Sequence, residues 1–199
     1  MSGTKKLAKA ALAALIAASM ATTASATTLV RAGLDRLVTS HSKIVVGQVV
    51  EAHSYWNQEG NFILTDVRFA ATDVLKGRLD DQDFTITLLG GQVGDLTTII
   101  VGGAELVPGN SYVLFLNEQN LPGARGALTV REHVQGAFDL KKGKDGNLRA
   151  VSQAVRHSLL PDEKGLMEPP GGAEGLLLKD MIRSIRDITA RPGHQREVQ

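Results

Sequence analysis

Lys43-Ile44-Val45-Val46-Gly47-Gln48-Val49-Val50-Glu51-Ala52 is a β-branched run interrupted by a single glycine. Valine and isoleucine suit a pleated, half-buried surface, and a glycine inside such a run marks a bulge or a sharp coil. The stretch therefore predicts a first strand that bends at Gly47. Upstream, Leu34, Leu37 and Val38 fall on one face of a short amphipathic helix. Downstream, Asn57-Gln58-Glu59-Gly60-Asn61 is turn-forming, and Phe62 to Leu75 alternates with Ile63, Thr65, Val67, Phe69 and Ala71 on one side. The two runs predict a hairpin. Lys76-Gly77 ends the second strand. Asp83 to Leu89 gives the next alternation, Phe84, Ile86 and Leu88 inward, closed by Gly90-Gly91.

Further along, Thr97 to Val101 predicts a short strand and Pro108-Gly109-Asn110 a turn. Tyr112-Val113-Leu114-Phe115-Leu116, within Ser111 to Asn117, is apolar enough to be buried on both faces and predicts the central strand. Ala127 to Val130, Gly136 to Leu140 and Leu148 to Val151 complete the set, with Asp145-Gly146 a strong turn signal between the last two. From residue 158 to 175, Pro161, Pro169, Pro170, Gly171 and Gly172 predict a linker. Over 176–190, Leu178, Met181, Ile182, Ile185 and Ile188 recur at three- and four-residue spacing, an amphipathic helix stopped by Arg191-Pro192-Gly193. Residues 191–199 read as a disordered tail.

Many short strands in one small domain must close or stack, because open edges invite aggregation. A first strand coiled at a mid-strand glycine, followed by a long second strand, is what a Greek-key barrel of the oligonucleotide/oligosaccharide-binding type uses to let strand one serve both sheets. The expected fold is thus all-β, an OB-like Greek-key barrel over residues 27–157, with a short N-terminal helix and a C-terminal helix. A β-sandwich is the alternative.

The first 26 residues carry an address. Lys5, Lys6 and Lys9 precede an apolar run from Ala10 to Met20, and Ala24-Ser25-Ala26 supplies the small residues of a cleavage site. The run is too short to span a bilayer, so no stable membrane anchor is expected. Cleavage after Ala26 leaves Thr27 first, in the periplasm or outside the cell. The chain has no cysteine, which removes disulfides, thiolate nucleophiles and thiolate metal sites. Without the leader the balance is 19 basic to 21 acidic residues, mixed along the chain, so no nucleic-acid partner is expected.

Ile44 to Val50, Thr65-Asp66-Val67, Asp73-Val74-Leu75-Lys76-Gly77 and Tyr112 to Leu116 together resemble a pattern of uncharacterised exported bacterial proteins. More distantly, they are similar to the barrel of the tissue inhibitors of metalloproteinases and the netrin module. The similarity covers roughly residues 34 to 140, and its motifs are structural. The inhibitors act through an N-terminal cysteine that chelates zinc; Thr27 stands there in this chain, so no functional residue carries over.

Candidate chemistry is sparse. His41, His53, His133, His157 and His194 lack metal-ligand spacing and read as surface or locally satisfied side chains. Ser40, His41 and Ser42 adjoin without a nucleophile-elbow motif. Gly90-Gly91-Gln92-Val93-Gly94-Asp95 lacks phosphate-loop spacing and reads as a tight loop or a rim that a partner's backbone approaches. Asp66, Asp73, Asp80, Asp81 and Asp83 lack the spacing of a calcium loop. Tyr55 and Trp56, the latter the only tryptophan, sit at the end of the first hairpin; they either cap the core or anchor an envelope protein or glycan. Tyr55, Trp56, Gly91 and Gly94 are the candidate partner-binding residues. No cofactor is expected. The function expected is that of an exported, non-catalytic binding or interaction module; the alternatives are a metalloprotease-inhibitor-like protein and an unrecognised hydrolase.

Overall fold

The computed structural model describes residues 30–131, 133–157 and 169–191; the leader, most of the Pro/Gly-rich stretch and the tail lie outside them. The described chain is mainly β with two helices. A short helix, α1 (Leu34–Ser40), precedes β1 (Lys43–Trp56), β2 (Ile63–Lys76) and β3 (Asp83–Leu89), an antiparallel meander. A small hairpin, β4 (Gly91–Val93) and β5 (Leu96–Thr98), leads by a loop to β6 (Ser111–Leu121), which is followed by β7 (Ala124–Val130), β8 (Ala137–Lys142) and β9 (Leu148–Ser152). The two-residue β10 (Leu176–Leu177) pairs with β9 and runs straight into α2 (Leu178–Thr189).

β1 is shared between two neighbours, as its glycine predicts. Ile44 to Gln48 pair with β2 on one side and with Phe115 to Ser111 of β6 on the other. The β1–β2 register slips between Ile44 and Val45, between Val46 and Gly47, and between Val49 and Glu51. Each slip bends the ribbon. A Cβ on Gly47 would lie 2.6 Å from Phe69 Cε1 and 2.8 Å from the Cα of Ala71, and would collide with the Ala70 carbonyl oxygen. Only a residue without a side chain lets β2 cross β1 so closely.

The coil puts opposite faces of one strand into two cores. Val45, Val49, Tyr112, Leu114 and Leu116 turn inside the roll with Val67, Phe69 and Ile86. Ile44, Val46, Val113, Phe115 and Phe138 form the outer face, which α1 and α2 cover with Leu37, Val38, Met181, Ile185 and Ile188. All five residues from Tyr112 to Leu116 are at most 2% exposed, which is the two-sided burial their unbroken apolarity predicts. β6 is central: β1 lies on one edge, while β7 and β8 share the other.

The strand order is β3-β2-β1-β6-β8-β9-β10, with β7 pairing β6 off that path, and the sheet is not closed into the expected Greek-key barrel. Following the antiparallel pairings around, β3 and β7 run parallel. They lie side by side, with Cα atoms within 8 Å, yet form no ladder. Ile100, Gly103 and Ala104 of the following loop line a cleft together with Leu88 and Leu89 of β3 and Thr129 and Val130 of β7. Two smaller expectations also change. The glycine-rich run is itself a strand, β4, turned on Gly94 (φ 59°) into β5, so the strand expected at Thr97 to Val101 starts and stops earlier. Leu176 and Leu177 extend the sheet before the helix begins.

Candidate binding cleft

The open seam widens into a cleft of about 530 Å³. Leu88 and Leu89 at the end of β3, Val130 at the end of β7, Leu121 on β6, and Ile100 and Ala104 from the loop supply apolar walls. No aromatic side chain lines it among the described residues. Ile99 and Val101, flanking Ile100 in the chain, are 79% and 89% exposed.

Buried carboxamides hold the walls. Gln135 accepts from the Ala32 backbone N–H at 2.7 Å and donates to the Val30 carbonyl at 3.0 Å, so the segment entering from the N-terminus is fixed beside the cleft. Gln153 does the same for the loop's exit, accepting from the Glu105 N–H at 2.9 Å and donating to its carbonyl at 2.7 Å. Val134 N–H bonds the Gly102 carbonyl at 2.9 Å. A third such clamp, Asn117, bonds the backbone on both sides of His41: it accepts from the Ser42 N–H at 2.7 Å and donates to the Ser40 carbonyl at 2.9 Å. Side chains with both a donor and an acceptor can stand in for a missing β-ladder, and the cleft is thereby shaped in advance of any occupant.

Its charge is one-sided. Arg36 and Arg131 line the cleft, both are exposed, and neither has an ion-pair partner among the described residues. Several carboxylates elsewhere are tied to neighbouring side chains. Asp139 takes Arg156 at 3.0 Å, Lys141 at 3.1 Å and Gln153 at 2.8 Å. Asp73 pairs with Arg186, Asp83 with Arg68, and Asp66 accepts from Thr87. Of the aspartates weighed as calcium ligands, Asp66, Asp73 and Asp83 serve as strand-to-strand and strand-to-helix ties, while Asp80 and Asp81 lie in the loop before β3 beside Arg78.

The residues singled out from the sequence fall elsewhere. Gly91 packs where a Cβ would strike the Ser54 and Thr65 hydroxyls, which bond each other at 2.8 Å, and Gln92 N–H reaches Ser54 Oγ at 3.4 Å. The hairpin end and the glycine rim are thus adjacent. Gly94 turns the β4–β5 hairpin with open space around it. Trp56 is 39% exposed. Tyr55 stacks on His53 on the outer face of the sheet, and its phenol is pushed above the ordinary value by burial first and then by the Asp66 carboxylate. His41 is buried, its Nδ1 2.7 Å from the Leu37 carbonyl and 3.1 Å from Ser40 Oγ, its ring edge-on to Phe115. Ser42 instead faces the Leu116 carbonyl. His157 and the backbone of His133 sit in separate turns, and His194 lies outside the described residues. No group of three His, Asp or Glu side chains converges on a metal-sized space among the described residues.

The cleft was not foreseen from the sequence, because it is assembled from α1, β3, β6, β7 and the 100–104 loop. The chain matches no family model, and no curated protein is similar to it.

Proposed function

We propose that this chain is an exported, non-catalytic binding module that receives its ligand in the seam cleft. The observation that supports this most is the preformed apolar cleft of about 530 Å³ opening on a cationic side. That volume lies within the range of small-molecule sites, roughly 300 to 1,000 Å³. Export rests on the leader: mass spectrometry of the protein recovered from the periplasm or medium should find Thr27 at its amino-terminus. A recovered chain that retains Ala11 and Leu12 would remove the address.

The cleft and the hairpin end compete as recognition surfaces, the second because Trp56 is 39% exposed beside the glycine rim. Gln119 is an exposed residue of β6 that lines the cleft, so Gln119→Trp fills it without touching either core. A panel of small envelope constituents is screened by thermal shift. A ligand at a hundredfold excess over its Kd should raise the melting temperature by about 5 to 10 °C, as mass action dictates for a chain of this size. The shift should vanish in Gln119→Trp and persist in Trp56→Ala. The reverse pattern moves recognition to the hairpin and its partner, a protein or glycan; a panel without any shift counts against a small-molecule module.

A further inference from the structure

We infer that the cleft's ligand is a free amphipathic monoanion, a carboxylate on an aliphatic body. This rests on the reading of the cleft as the binding site and gives its occupant a chemistry.

Three observations converge on that class. Much of the wall is aliphatic: Leu88, Ile100, Leu121 and Val130 offer dispersion contacts beside the polar Gln119, Thr129 and Gln135, and among the described residues no aromatic ring lines the cleft to stack on a sugar or a base. The charge is of one sign: Arg36 and Arg131 line the cleft with no ion pair among the described residues, and no carboxylate among the described residues lines it. A planar guanidinium presents a fork that matches a carboxylate's two oxygens. The loop that supplies Ile100 also exposes Ile99 and Val101, apolar surface next in the chain to the cleft wall. A neutral hydrocarbon would leave the arginines without a partner, and a polyanion would leave the aliphatic walls wet. An amphiphile with one negative head satisfies both.

Decanoate below its micellar concentration, decanol and decylammonium are titrated into the mature protein by calorimetry. Decanoate should bind at least about tenfold more tightly than either analogue, the equivalent of 1.4 kcal/mol. Arg36→Gln/Arg131→Gln should erase that preference while keeping the parent's melting temperature, since both positions are exposed. Raising the salt should weaken decanoate alone. Decanol matching decanoate, with both lost in Gln119→Trp, overturns the anion assignment and leaves the cleft as a site. Decanoate bound equally well by Gln119→Trp removes the cleft itself. Binding to phosphatidylglycerol vesicles without binding of monomeric decanoate would replace the free amphiphile by a membrane surface, and silence in all arms overturns the inference.

Discussion

Gly47→Val should cost this protein about 3 kcal/mol or more of folding stability, at or beyond the upper end of what overpacking usually costs. The added side chain would meet backbone on one side, the Ala70 carbonyl and the Cα of Ala71, and an aromatic ring on the other, so no rotamer escapes both. Gly47 also pairs with Ala71 of β2 and Tyr112 of β6, and strand β1 cannot move from one neighbour without leaving the other. Urea denaturation gives the number. A variant within 0.5 kcal/mol of the parent, the ordinary surface range, would show that the ribbon is not bent at this residue.

Ile185→Asp should go further and abolish the cooperative transition. Ile185 is fully buried between α2 and the outer face of β1, β6 and β8, in contact with a cluster that holds no charge. An aspartate there must be desolvated as a charge or stay protonated in hydrocarbon, and either way the loss is expected to exceed about 4 kcal/mol, a large part of the 5 to 15 kcal/mol that ordinary domains possess. Ile185→Val removes only one methylene and should cost about 1 kcal/mol, which separates the buried charge from mere disturbance. Near-ultraviolet circular dichroism and urea titration report both. A stable, cooperatively unfolding aspartate variant would mean that α2 does not seal this face.

What the sequence made legible was local periodicity. Ile44 to Val46 and Tyr112 to Leu116 carry their burial in their own composition, because a strand covered on both faces has no polar residues to alternate, whereas Gln48 and Val50 of the same first run are exposed. The long β2, the α1 face and the Asp145-Gly146 turn followed for the same reason. β4 was illegible: in Gly91-Gln92-Val93 only the valine favours a strand, and the segment is held by its pairing with β5 and by its packing on Ser54 and Thr65. Leu176 and Leu177 fit the helical spacing equally well, and their antiparallel pairing with Arg149 and Ala150 decided otherwise. Closure of the barrel was a deduction from the hazard of free edges. Here the edges of β3 and β7 lie side by side without a ladder. The cleft follows from that exception, so nothing local in the chain announced it.

The placement of β6 has a consequence in time. Its pairing with β1 joins residues 63 to 73 positions apart, Gln48 with Ser111 and Lys43 with Leu116. The helix that covers the same strand ends only at Thr189. Non-local closures of this kind lose chain entropy before they gain contacts, and slow folding is their usual result. A chain emerging from its amino-terminus would carry the inner faces of β1 and β2 uncovered until β6, β7 and the start of β8 are out, and their outer faces until α2 is out, so no earlier fragment contains both cores. Completion of the second core is therefore late, and the interval before it is when the first hairpin is most exposed to wrong partners.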